Sequence, residues 1–228
     1  MAIKAIAVDI DGTLTDYDRL MDFVGVRALR KVEASGVPVI CATGNVAPVT
    51  KAFANFAGFS GPIVCENGGA VFSNDMTRRK ILFSRTRADE AVAHLKKLGI
   101  PIHPIWSDPW RVSEVALSLK MDEAAIRDAL QGWGFDIVST RFAIHIMEPG
   151  LDKHQGLLEG LEFLPNKVKP GEILAIGDSN NDETMLRGCK YSGCVGNGSE
   201  RALKAAKFVA EKKHGSGVVE ILRHYGVA

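Results

Sequence analysis

The segment Ile3-Lys4-Ala5-Ile6-Ala7-Val8-Asp9-Ile10-Asp11-Gly12-Thr13 is an apolar run that ends on two carboxylates and a turn glycine. Near-continuous apolarity over residues 3–10 suits a strand covered by helices on both faces of a parallel sheet. In a strand, residues two apart face the same way, so Asp9 and Asp11 would point into one site. Ligands in open α/β sheets bind beyond the C-terminal strand ends, where this pair falls. Taken alone, the Asp-Gly step is also what a capped turn would use.

Working outward, residues 37–41, 62–65 and 172–176 are further apolar runs, each followed by Gly, Asn or Asp. Residues 191–195 and 208–210 form two shorter ones. Phe23, Val26, Leu29 and Val32 recur at three-residue spacing before Gly36, a helix with its stop signal, and residues 46–56 and 182–188 are helical as well. This alternation predicts a doubly wound, Rossmann-like α/β core with a parallel sheet.

The middle of the chain differs. Residues 81–147 are expected to run strand, helix (88–98), strand (112–119), helix (122–133) and a strand pair (136–139 and 142–147). Val115, Leu117 and Leu119 alternate as in a half-buried antiparallel strand. Residues 73–80 and 148–153 are expected to be hinges. The domain expectation is therefore a catalytic core of residues 1–80 and 151–228, interrupted by a small α/β cap at 81–150.

With 228 residues the chain can bury roughly 70% of its extended surface without disulfide or structural metal. Lys+Arg 28 against Asp+Glu 27 argues against a nucleic-acid binder relying on bulk positive charge. The longest uncharged stretch, residues 34–50, is broken by Gly36, Pro38, Gly44 and Pro48, so no membrane span is expected. Asp9 and Asp11 interrupt the first apolar run, unlike a signal-peptide core. Cys41, Cys65, Cys189 and Cys194 lack paired CxxC spacing, which predicts free buried thiols and a cytoplasmic setting.

Two other strand ends carry chemistry beside Asp9 and Asp11. Ala42-Thr43-Gly44-Asn45 offers a hydroxyl and a bare backbone. Gly177-Asp178-Ser179-Asn180-Asn181-Asp182 offers two carboxylates four residues apart, and Lys153 opens the segment leading to it. Asp9, Asp11, Asp178 and Asp182 gathered in one crevice must protonate or hold a cation, because two charges 4 Å apart repel by about 4 kcal/mol at an effective dielectric of 20. All-oxygen ligands favour Mg²⁺.

These motifs, DIDGT, ATGN, Lys153 and GDSNND in that order, resemble those of the haloacid dehalogenase-like superfamily. The insert beyond Glu66-Asn67-Gly68-Gly69 looks like that of its α/β-capped members, and its small size is most similar to the archaeal-type phosphoglycolate phosphatases. One departure is His154 where members of this branch often have Gly after the lysine. The resemblance implies Asp9 as nucleophile and Asp11 as general acid and base. It implies Mg²⁺ between Asp9, the backbone carbonyl of Asp11 and Asp178, with Asp182 as ligand or supporting partner. Thr43, Gly44, Lys153 and Asn181 would hold the phosphoryl oxygens. The implied reaction is hydrolysis of a small phosphorylated metabolite, 2-phosphoglycolate first, with no nucleic acid or membrane partner and room for a homodimer. The alternatives are a sugar-phosphate or phosphoglycerate-type phosphatase, a phosphomutase, and a non-catalytic module of the receiver kind. For the cap's contact with substrate, Arg85, Arg87, Arg111, Arg141 and His145 are the candidates, and the sequence does not choose among them.

The remaining features have plainer readings. The other histidines lack zinc-site spacing. Trp106 and Trp110 are expected either to close over substrate or to pack in the cap core. Arg78, Arg79 and Lys80 read as a solvated hinge, and the glycine-rich 193–198 segment as a loop, since it lacks the GxGxxG spacing.

Overall fold

The computed structural model describes residues 3–227; the outermost residues of the expected core, 1, 2 and 228, lie outside it. The chain runs β1 (Ala5–Val8), α1 (Phe23–Ala34), β2 (Val39–Ala42), α2 (Ala47–Ala57), β3 (Ile63–Cys65), β4 (Ala70–Phe72) and β5 (Arg79–Ile81). The middle holds α3 (Thr86–Lys97), β6 (Val115–Leu117), α4 (Glu123–Ala129), β7 (Asp136–Ser139) and β8 (Ile144–Met147). It returns through α5 (Lys153–Gly160), β9 (Ile173–Gly177), α6 (Glu183–Gly188), β10 (Tyr191–Cys194), α7 (Glu200–Ala205), β11 (Phe208–Val209) and α8 (His214–His224).

The large sheet has eight strands in the order β11-β10-β9-β1-β2-β3-β4-β5. Its first six strands are parallel, and β4 and β5 add an antiparallel edge. Alternation along the strands divides the core between two faces. Ile6 and Val8 of β1 pack with Val26 and Leu29 of α1 and with Val218 and Ile221 of α8. Ala5 and Ala7 face Leu157 of α5, Met185 of α6 and Ala202 of α7. Helices thus cover both sides, which is why these strands carry apolar residues at every position. The small sheet, β6-β8-β7, is antiparallel. Its Val115, Leu117, Ile144 and Ile146 close a separate apolar cluster with Ala91 and Leu95 of α3 and Ile126 of α4.

Two expectations about the connecting segments change. Residues 73–80 are not a hinge: they turn between β4 and β5, and the strand expected near residue 81 belongs to the large sheet. Charge hid it. Arg79 is exposed and Lys80 pairs with Glu159 and Glu162, as a solvent-facing edge strand allows. Leu119 does not continue the buried face of β6, because the strand ends at Leu117 and the side chain is exposed. The four cysteines are free and buried as expected, and burial pushes the Cys65, Cys189 and Cys194 thiols up to about 12. Among the described residues no helix is long and apolar enough to cross a membrane.

One close approach sets where α5 sits. A Cβ on Gly156 would lie 2.6 Å from the Gly68 Cα, and one on Gly68 would lie 2.0 Å from the Asp152 carbonyl oxygen. Backbone therefore meets backbone where the Glu66–Gly68 turn touches the first turn of α5. Gly156→Ala should cost about 2 kcal/mol of stability by overpacking, read as a lowered denaturation midpoint. It should also reduce turnover, because α5 carries Lys153.

Candidate active site

β1 ends at Val8 and the chain then leaves the ladder in a tight turn, with Gly12 at φ +90°. The Thr13, Leu14 and Thr15 amides all turn back to the Ile10 carbonyl. Asp9 still extends the strand, its amide donating to the Ile176 carbonyl at 2.9 Å, and its carboxylate stands over the sheet's C-terminal edge. Asp178 and Asp182 flank the corresponding turn after β9. The Asp182 carboxylate accepts from the Asp178 and Ser179 amides at 3.0 and 2.9 Å, closing that loop on itself. Asp152 caps α5 by accepting from the Gln155 amide, which places Lys153 at the helix's first position.

Lys153 joins the two strand ends. Its ammonium is fully buried and donates to Asp9 Oδ1 at 2.6 Å and to Asp182 Oδ1 at 2.7 Å. His154, the departure from the family pattern, turns away from this contact: a Cβ on Gly188 would lie 2.5 Å from its ring. Burial alone would lower the lysine's proton affinity, but the Asp182 and Asp9 charges outweigh it and raise it.

Asp9, Asp178 and Asp182 each offer an oxygen within 4.8 Å of one another, all buried. Burial drives the Asp9 carboxyl well above its ordinary value; Lys153 opposes this, and the Asp182 and Asp178 charges reinforce it. Burial and the Asp182 charge likewise push Asp178 up to about 6, against the pull of Arg141. Arg141 Nη2 donates to Asp178 Oδ2 at 2.7 Å, and Thr13 Oγ1 donates to Asp178 Oδ1 at 3.2 Å. Three crowded carboxylates with oxygen donors only are the donor set a hard divalent cation takes.

The fourth carboxylate stands apart. Asp11 borders the same small cavity as Asp9 but is not in the three-carboxylate group. Its Oδ1 accepts from Arg19 Nε at 2.7 Å and its Oδ2 from Asn45 Nδ2. Both carboxylates face this cavity, although β1 ends at Val8 and Asp11 hangs from the turn that follows. The Gly12 amide does not face the cavity, since it donates to Thr15 Oγ1 at 3.0 Å. Thr43 is buried with Oγ1 accepting from the Asn45 amide at 3.1 Å, and Gly44 lines the cavity. Asn181 also lines it and donates to Asn67 Oδ1 at 2.9 Å.

The five cap candidates separate cleanly. Arg85 braces the cap through Asp108, and Arg87 through Glu148 and the Trp133 carbonyl. Arg111 and His145 are buried on Glu114 rather than open to a ligand: His145 Nδ1 lies 2.8 Å from Glu114 Oε1, and Arg111 pairs with the same oxygen while donating to the Gly44 carbonyl at 3.0 Å. Burial would raise the Glu114 carboxyl, but His145 and Arg111 hold it below its ordinary value. Glu66 meets the cap loop beside them, accepting from the Val112 and Ser113 amides at 2.9 Å each. Only Arg141 reaches the cavity. Trp106 and Trp110 pack edge to face, 5.7 Å between centroids, and are 70% and 52% exposed, so they neither cover the site nor fill the cap core.

Three contributors were not singled out from the sequence. Arg19, at φ +63°, holds Asp11. Asn197, from the glycine-rich loop, donates to the Gly12 carbonyl at 2.8 Å, and His214 Nδ1 lies 2.9 Å from the same oxygen. A lone Asn among glycines after a strand was the available signal for Asn197; nothing local marks Arg19.

Fold and site together define a doubly wound α/β protein with an acidic cluster at the strand ends and an inserted antiparallel module. The model of haloacid dehalogenase-like hydrolases matches residues 6–115 and 116–222, and the chain belongs to that family. It is 36% identical to a phosphoglycolate phosphatase of Methanothermobacter thermautotrophicus over 98% of this chain and 99% of that protein. It is 37% identical to one from Archaeoglobus fulgidus, over 98% of this chain and 97% of that protein. A crystal structure of Thermoplasma acidophilum 0175 superposes with a TM-score of 0.88 at 30% identity, covering 99% of both chains. A haloacid dehalogenase-like hydrolase from Bacteroides thetaiotaomicron shares the fold, with a TM-score of 0.80 at 18% identity over 98% and 99% of the two chains.

A carboxyl with a raised native pKa makes the fold lose stability as pH climbs from the unfolded value, about 4, through the native one, about 6 for Asp178, and the loss stays constant above that. A cation bound at the cluster offsets that loss. Saturating Mg²⁺ should therefore raise the melting temperature more at pH 8 than at pH 5. Equal shifts at both values would show that the cation binds elsewhere.

Proposed function

We propose that this chain is a Mg²⁺-dependent phosphatase that hydrolyses small phosphate monoesters through an aspartyl-phosphate on Asp9, with 2-phosphoglycolate as the preferred substrate. The observation that carries the reading is the buried Lys153 ammonium shared by Asp9 and Asp182, with Asp178 beside them, at a small cavity that Asp9 and Asp11 both line. The relatives named as phosphoglycolate phosphatases support the choice of substrate.

In this mechanism the Asp9 carboxylate attacks phosphorus, the ester oxygen leaves, and water then releases phosphate from the aspartyl ester. Lys153 fixes the Asp9 oxygen and places positive charge where an anion must approach another anion. Thr43 and Gly44, at the end of β2, and Asn181, on the opposite wall, hold the phosphoryl oxygens. Asp11 protonates the leaving oxygen and later activates the water, which requires its ion pair with Arg19 to part when the ester enters. Asp9, the Asp11 carbonyl and Asp178 would hold Mg²⁺, whose charge keeps the crowded carboxylates ionised and screens the phosphoryl group. Asp182, committed to Lys153 and to two amides, holds the others in place. The core at 1–80 and 151–228 supplies this machinery, and the cap at 81–150 selects the ester.

Asp9→Asn should lower kcat by more than about 10⁴-fold with an unchanged circular dichroism spectrum; near-native turnover would remove Asp9 as nucleophile. Exhaustive EDTA treatment should abolish activity, and added Mg²⁺ should restore it. Across a panel of esters, kcat/KM should be highest for 2-phosphoglycolate; a clear preference for sugar phosphates would overturn the substrate assignment.

A further inference from the structure

The cavity has a floor of Asp9, Asp11 and Gly44 and a roof of Thr140, Arg141 and Phe142, from the turn between β7 and β8. Arg141 is the one basic side chain among the described residues that line it. It also lines a larger adjoining cleft of about 320 Å³ that shares Thr140, Ser179 and Asn181 with the inner one, so the guanidinium stands where the inner cavity opens outward. Lys153 and the carboxylates of Asp178 and Asp182 lie beside Asp9, and the cavity that Asp9 lines runs from it to Arg141.

The arginine is held in place by contacts that a ligand can replace. Its Nη2 rests on Asp178 Oδ2 at 2.7 Å, and its guanidinium lies 4.9 Å from the Tyr17 ring centroid. The turn that carries it is fixed from behind, since Thr140 Oγ1 lies 3.1 Å from His145 Nε2 and His145 is anchored on buried Glu114. A fixed turn with a planar five-donor fork at its tip suits a carboxylate, which it can grip through two parallel hydrogen bonds.

We propose that Arg141 is the specificity-determining residue of this site, reading a carboxylate two bonds from the ester oxygen and so favouring small acidic phosphate esters over neutral ones. The proposal rests on the phosphatase reading above. Without substrate Arg141 pairs with Asp178; with an acidic ester bound it turns to the ester's carboxylate.

The test compares 2-phosphoglycolate with ethyl phosphate, which carries a methyl group in place of the carboxylate. In Arg141→Gln the ratio of kcat/KM for the acidic ester to that for the neutral one should fall about 10- to 100-fold, the worth of a charge-assisted hydrogen bond, and mostly through KM. Arg141→Lys, which keeps the charge but not the fork, should fall in between. In an Asp9→Asn background, which holds the ester unhydrolysed, calorimetric affinity for 2-phosphoglycolate should drop by a similar factor on adding Arg141→Gln. A ratio and an affinity both unchanged within twofold would overturn the role of Arg141 and leave the phosphatase reading standing. A wild-type enzyme that turns over ethyl phosphate as well as 2-phosphoglycolate would overturn carboxylate selection itself.

Discussion

A buried ammonium ion is costly unless opposite charges and hydrogen bonds surround it. Lys153 meets that condition by reaching two strand ends at once, Asp9 after β1 and Asp182 after β9. Much else in the core serves this contact. α5 must begin at Asp152 and lie close against the Glu66–Gly68 turn, which bare glycine backbones on both sides permit. The Asp182 loop must curl until its own amides satisfy the second carboxylate oxygen. Removing one partner would leave a charge stranded in a dry interior, so the geometry is held from both sides.

Of the site, the residues at strand ends were legible because two constraints coincide there: apolar runs announce buried strands, and carboxylates interrupting such runs are too costly to be incidental. That logic located Asp9, Asp178, Asp182 and Thr43, and it placed Lys153 once the order of motifs was recognised. It brought Asp11 to the same cavity as Asp9 but did not show that Arg19 and Asn45 hold its carboxylate there. It gave the strand near residue 81 to the cap, because the charged Arg79 and Lys80 at a sheet edge carry no apolar signal that ties them to the core.

The junction between cap and core was legible only in part. Glu66 and Glu114 are buried carboxylates beside apolar runs, a visible anomaly, yet Glu66 is met by residues 46 to 47 positions away and Glu114 by His145, 31 positions away, as well as by Arg111 nearby. His145 looked available for a ligand because local sequence cannot reveal that Glu114, 31 positions away, already holds it, while Arg111 has the same glutamate three residues on. The result is a polar seam whose charges are balanced inside the protein, while Arg141, a few residues from His145, is left with a partner that substrate can displace.

The cap's apolar residues close on one another and not on the large sheet. A module that is stable on its own interior can accept new side chains at its exposed tip without disturbing the parts that break bonds. Residues 139–143 are thus a place where ancestry can vary the molecule's appetite while its chemistry is inherited unchanged, and related chains that differ in what they consume should differ first in that turn.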